Sequence, residues 1–145
     1  MKFKVYFSLI VLLFFSCQKI EKGKNLSKDT IEHIYKMGLL EKGEKIILFY
    51  SNYQKDKAGN FFTNKRIAHY WIDDNHPEKN DTTFAFYNDI ISIDTTYTVP
   101  DFDAPYMTIT KSDNSQFKVY ADGDKKEMRS FFEQAILEWN INKGK

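Results

Sequence analysis

One cysteine, three prolines and six glycines in 145 residues leave this chain with few covalent or conformational staples. The lone thiol, Cys17, rules out an intramolecular disulfide, so the fold must rest on its core. Charge of either sign is not in excess: the formal net charge is +1, and without Lys2 and Lys4 it is 19 basic against 20 acidic residues. A nucleic-acid partner needs a basic face and is therefore not expected. The longest apolar run, residues 5–15, is too short to cross a bilayer as a helix. Reactive patterns are scarce as well. His33, His69 and His76 include no i, i+4 pair of the kind that holds zinc on a helix. Asp101 with Asp103, and Asp122 with Asp124, lack the string of oxygen ligands of a calcium loop. Ser115-Gln-Phe-Lys118 spells a nucleophile motif that works on a helix, but it falls in a strand pattern, where i and i+3 face apart. No metal, no cofactor and no enzymatic activity are expected.

Aromatic residues are what the chain has in quantity, with 13 Phe and 9 Tyr. Rings suit the half-buried surface of a sheet, which favours strands over a helical bundle. The central stretch is Phe61-Phe-Thr-Asn-Lys-Arg-Ile-Ala-His-Tyr70, where an aromatic pair enters a polar tetrad and apolar alternation leaves it. That is a hairpin pattern. Further strands are expected over 45–50, 82–87, 90–99, 106–110 and 116–120, with residues 53–60 as a polar loop. In the strand over 90–99, Ile91, Ile93, Tyr97 and Val99 should share a side. Seven antiparallel strands result, with no helix between them long enough for a parallel crossover. A short helix over 27–38 carries Ile31, Ile34 and Tyr35 as its stripe, with Ser27 or Asp29 as cap and Gly38 as stop. The last helix is the clearest. Met128, Phe131, Phe132, Ala135, Ile136 and Trp139 form one apolar face, and Asp124 with Glu127 supplies a capping box.

The head of the chain reads as a leader. A basic start and the apolar run precede Phe14-Phe-Ser-Cys17, which resembles a bacterial lipobox. That resemblance implies a signal peptide over 1–16 and Cys17 as a lipid-attachment site, with palmitate-type acyl chains anchoring the chain to the membrane. Gln18-Lys19-Ile20-Glu21-Lys22 resembles the Gln-Lys-acidic signal of Bacteroidetes lipoproteins, which implies an outer-membrane location at the cell envelope, periplasmic or surface-exposed. Residues 17–26 are expected as an acylated flexible tether, 27–38 as an accessory helix and 39–141 as the folded domain.

Three signatures in that domain carry a second resemblance. Leu39-Leu-Glu-Lys-Gly-Glu-Lys-Ile46 is similar to the Gly-Glu-x-Ile lead-in of bacterial pleckstrin-homology-like (PH-like) domains. Phe61-Phe-Thr-Asn-Lys-Arg-Ile67 resembles their Thr-Asn/Asp-Lys-Arg hairpin, shared with GRAM domains. Phe86-Tyr-Asn-Asp-Ile90 resembles the aromatic-x-Asp-Ile link between their fourth and fifth strands. The resemblance implies a mainly β fold: a seven-stranded antiparallel PH-like barrel or roll with a C-terminal capping helix and a short N-terminal helix. It also implies a non-enzymatic binding module, with another envelope protein or peptide as partner. Phe102, Asp101 and Asp103 are the candidate partner-binding residues, on a proline-bounded loop. The alternative is a lipid or small-ligand carrier that uses the barrel or a basic loop of Lys55, Lys57, Lys65 and Arg66. Apart from the family, Thr63, Asn64 and Arg66 read as devices that tighten the hairpin.

Overall fold

The structure, a computed structural model, describes residues 20–100 and 103–145. Cys17, Asp101 and Phe102 therefore lie outside the described residues. The chain begins with β1 (Ile20–Lys22), a 3-10 turn (Gly23–Asn25) and helix α1 (Lys28–Lys36). Strands β2 (Ile46–Tyr50), β3 (Ala58–Thr63), β4 (Arg66–Trp71) and β5 (Asp81–Phe86) follow. A 3-10 turn at Tyr87–Asp89 leads into β6 (Ile90–Thr96), β7 (Tyr106–Lys111), β8 (Gln116–Tyr120) and helix α2 (Lys125–Asn142). All pairing is antiparallel, in two sheets of order β1-β2-β3-β4-β5 and β6-β7-β8.

Two expectations need correction. Among the described residues the strands form two open sheets, not one closed barrel, and they number eight. The extra strand is β1, in the segment expected as a tether: Ile20, Glu21 and Lys22 pair with Tyr50, Phe49 and Leu48. Its turn sits tight against β2, because a Cβ on Gly23 would collide with the Ile46 carbonyl. Only a glycine allows that approach. A polar, charged tripeptide shows no strand pattern by itself, and pairing with an available edge decides its conformation. The loop expected over 53–60 likewise shortens, since Ala58, Gly59 and Asn60 already pair with Trp71, Tyr70 and His69.

Both faces of the five-stranded sheet are buried, which explains why β2 is apolar on each side. Toward the second sheet and α2 lie Leu48, Phe62, Ile67, Met107, Phe131 and Phe132. Toward α1 lie Ile34, Phe49, Phe61, Ala68 and Tyr70. Period-two alternation divides the neighbours Phe61 and Phe62, and Ile67 and Ala68, between the two cores. Helix α1 starts on Ser27, whose Oγ accepts from the Thr30 N–H at 3.2 Å, and Gly38 ends it with φ +75°. Of its expected stripe, Ile34 is fully buried while Tyr35 turns to solvent. In β6 a register shift between Ile90 and Ser92 buries Ile90 and exposes Ile91, so Ile91 leaves the expected side while Ile93 and Tyr97 pack against the core.

Helix α2 closes the second core. Asp124 accepts from the N–H groups of Lys126 and Glu127, at 2.9 and 3.3 Å, and so caps its start. Met128, Phe131, Phe132 and Ala135 are buried as the periodicity predicts. Phe131 meets the Phe62 ring edge-on at 5.3 Å. Each of these phenylalanines contributes roughly 1.5–3 kcal/mol by burial, enough to fix the helix on the sheets. The interior is filled by these rings.

Candidate functional site

Thr63 and Arg66 of the hairpin tetrad form a buried ion-pair lock with Glu44, while Asn64 and Lys65 are exposed. Thr63 accepts at Oγ1 from the backbone N–H groups of Lys65 and Arg66, at 2.9 and 3.0 Å, and closes the turn. Asn64 accepts from the Lys45 N–H at 2.9 Å and ties the turn to the start of β2. Arg66 is only 1% exposed. Its Nε and Nη2 donate to Oε1 and Oε2 of Glu44 at 3.0 and 2.8 Å, a bidentate fork on a carboxylate equally out of solvent. The rings of Phe84 and Phe86 lie 4.6 and 4.3 Å from the guanidinium carbon. The hydroxyls of Thr63 and Tyr87 complete the network, donating to Glu44 and to the Thr63 carbonyl. Burial raises the Tyr87 phenol above its usual range, with the Glu138 and Glu44 carboxylates adding to the effect. The Gly-Glu-x-Ile and Thr-Asn-Lys-Arg signatures are thus two halves of one bond, 22 residues apart in sequence.

The four residues expected as one basic loop do not come together. Lys55 and Lys57 precede β3, whereas Lys65 and Arg66 follow it, so roughly 20 Å of strand separates the pairs. Each has an acidic partner: Lys55 with Glu21, Lys57 with Asp74 at 2.6 Å, Lys65 with Glu41 at 2.9 Å, and Arg66 with Glu44. The Glu41 carboxyl is held below its usual range chiefly by the hydrogen bond from Lys65. Spacing alone could not show this, because the carboxylates come from β1, the β4–β5 loop and the turn before β2.

Of the partner-binding candidates only Asp103 is described. It is exposed, and its Oδ1 accepts from the Ala104 N–H at 3.0 Å. With Ala104 it borders a cleft of about 320 Å³ between the first sheet and β8, walled by Tyr50, Asn60, His69, Tyr70 and Tyr120. Asn60 stitches that cleft by accepting from the Tyr120 N–H at 2.9 Å. His69 lies 2.9 Å from Asp81 through Nε2 and stacks on Phe117, a wall position. Partial burial would raise the Asp81 carboxyl, but hydrogen bonds from Thr83 and His69 outweigh it and hold it low.

No family model matches the chain. No curated protein matches it either. Among solved structures it is similar to the crystal structure of a DUF1696 family protein with a pleckstrin-homology domain from Shewanella loihica PV-4. The two are 14% identical, and the match covers 73% of this chain and 92% of that one with a TM-score of 0.49. Among the described residues no group of three or more His, Cys, Asp or Glu could hold a metal ion, and no helix is long and apolar enough to cross a membrane.

A groove of about 700 Å³ runs along β1. One wall is Ile20, Glu21 and Lys22, and the other is the Asp124 cap and the first half of α2, including Ser130 and Gln134. Among the described residues β1 is the end of its sheet, paired to β2 on one side only. An unpaired edge next to a groove is an arrangement that accepts an added strand. Sequence reading missed it because β1 itself was not visible as a strand. The signal that existed was Gly23, a small residue immediately after the paired segment.

Proposed function

We propose that this protein is a non-enzymatic binding module of PH-like build, acylated at Cys17 and held at the bacterial cell envelope, which takes an extended segment of another envelope protein along the free edge of β1. The observation that carries the reading is the groove between that edge and α2. Backbone pairing would supply affinity there, and Lys22, Lys24, Glu127 and Gln134 along its walls would supply selectivity. The order of elements supports the PH-like build: four strands, three strands and a helix, with β1 as an addition to the first sheet. The alternative, a carrier of lipid or a small ligand inside the fold, is disfavoured by the space that Phe62, Phe131 and Phe132 occupy.

The test is capture from detergent-solubilised envelope by the mature chain, compared with Ser130→Trp, which fills the groove, and Phe102→Ala, which alters the proline-bounded loop. A partner retained by Phe102→Ala and lost by Ser130→Trp supports the groove. Loss with Phe102→Ala alone moves the site to the loop, and equal recovery of every protein by all three chains removes both.

A further inference from the structure

We propose that the end of the first sheet carrying Tyr53 and Trp71 is the face this protein lays on the membrane, with that aromatic pair seated in the headgroup region. The inference rests on the reading that Cys17 is acylated. It starts from the pairing of β1. Ile20, Tyr50, Asn60, His69 and Thr83 form one row across four strand pairs. The start of β1 therefore lies at the same end of the sheet as the β2–β3 and β4–β5 loops. Trp71, paired with Ala58 and Asp81, is two residues further out along β4. The ion pair between Lys55 and Glu21 holds the β2–β3 loop against β1.

Only Gln18 and Lys19 separate Cys17 from Ile20. Three residue steps span at most about 10 Å even when fully extended. A domain attached that closely cannot turn freely, so the end from which β1 starts must face the bilayer. On that end Tyr53 is 59% and Trp71 42% exposed, and their ring centroids lie 6.1 Å apart with a 37° tilt. Three other partly exposed rings are covered by cations, Tyr97 by Arg129, Tyr106 by Lys118 and Trp139 by Lys143, and Tyr35, 51% exposed on α1, stands without an aromatic neighbour among the described residues. Among the described residues no cation lies over Tyr53 or Trp71. Tyrosine and tryptophan favour the membrane–water boundary, where an apolar ring and a polar tip are both satisfied.

Charge does not supply the attraction. Lys55, Lys57 and Lys79 at this end are matched by Asp56, Asp73, Asp74 and Glu78, and the first two lysines are engaged in ion pairs. Seating should therefore be as good on neutral as on anionic lipid. Since the acyl chains already retain the protein, the aromatic pair sets orientation. In that orientation the β1–α2 groove opens beside the membrane surface.

Cys17 is the only thiol, so the mature chain from Cys17 can be coupled at one point to a maleimide-bearing lipid. The vesicles would be phosphatidylcholine, with or without phosphatidylglycerol, containing lipids brominated on their acyl chains. Trp71 and Trp139 are the only tryptophans, so Trp139→Phe and Trp71→Phe report each ring alone. We expect Trp71 emission to shift to the blue and be quenched on coupling, equally in both lipid mixtures, while Trp139 is unchanged. Hydrogen exchange of residues 51–57 in the unsubstituted chain should slow on coupling, a readout that does not depend on either variant folding. Trp71 unquenched with unprotected loop amides, or quenching of both rings alike, overturns the proposed face. The acylation reading is tested apart from this, by incorporation of a clickable fatty acid into the chain in cells and its loss in Cys17→Ala.

Discussion

The two ends of the five-stranded sheet use similar residues in opposite ways. At the β3–β4 turn, Arg66 and Glu44 are enclosed, Arg66 donates to both carboxylate oxygens, and two phenylalanine rings cover the guanidinium. At the other end Lys55 and Lys57 make ion pairs at the surface, and the rings of Tyr53 and Trp71 stand in solvent. A buried pair is costly to assemble and far more costly to break, whereas an exposed pair is nearly neutral. One end therefore specifies the hairpin register and the other leaves its surface available for contact. Residues that sit together in the sequence as a basic group divide by burial into two different roles.

The hardest blow to this contrast is Arg66→Ala. It strands the Glu44 carboxylate inside the protein and should cost about 3–5 kcal/mol, read as a lowered urea midpoint. Replacing both partners, Glu44→Gln with Arg66→Met, should recover much of that loss, because no charge is then left buried alone. If Arg66→Ala unfolds no more easily than a surface lysine variant, the locked end is not a lock.

Base should attack the buried core next. Burial, reinforced by the nearby Asp122 carboxylate, pushes the Tyr50 phenol up to about 12, and burial also raises Tyr70 and Tyr87. An unfolded phenol ionises near 10. The folded state thus prefers the protonated phenols: their contribution is complete below about pH 10 and is lost as the pH climbs toward 12 and above. Tyr50 alone would account for about 3 kcal/mol over that window. Phenolate absorbance and far-ultraviolet circular dichroism should therefore change together above pH 10. Ionisation of all the phenols with no loss of ellipticity would contradict the burial of these three.

How much of this was legible in the sequence depended on whether a residue's partner was close in the chain. The α2 face was readable because Met128, Phe131, Phe132 and Ala135 follow one helical period and Asp124 caps its own turn. The hairpin was readable because Thr63 bonds its immediate neighbours. Glu44 meets Arg66 across 22 residues, and nothing local marks it as buried rather than as one more turn carboxylate. Strand β1 depends on the free edge of β2, and the β1–α2 groove on helix residues about a hundred positions downstream. Closure also failed to follow from strand count: the same alternation suits a barrel or two packed sheets, and pairing decides between them.

A smaller and local effect is expected from Gly23→Ala. The new methyl group would collide with the Ile46 carbonyl, which belongs to backbone and cannot swing away. Overpacking of this kind costs about 1–3 kcal/mol. Because β1 is a three-residue edge strand, the strain should be relieved by undocking it rather than by global unfolding. Hydrogen exchange should quicken across residues 20–25 while the β3–β4 amides keep their protection, and the urea midpoint should fall only slightly. Loss of protection throughout would mean that β1 belongs to the cooperative core, and the groove would then be a feature of the fold rather than an adjustable edge.

The smallest effect is the sharpest comparison. Lys57 and Lys65 sit at opposite ends of β3, paired with Asp74 and Glu41 at 2.6 and 2.9 Å. Both partners are at least half exposed, so solvent screens the attraction and each pair is worth about 0–1 kcal/mol. Lys57→Ala and Lys65→Ala should therefore shift the urea midpoint little and by similar amounts, and both shifts should shrink further in high salt. The geometry around them differs, however, because Glu41 also lies 3.3 Å from Arg66. Removing Lys65 leaves Glu41 free to turn fully to Arg66, which offsets part of its loss, whereas Asp74 has no such second cation in reach among the described residues. Lys57→Ala should accordingly be the more costly of the two by a few tenths of a kcal/mol, and a clear reversal would show that Lys65 acts through the buried Glu44–Arg66 pair rather than beside it.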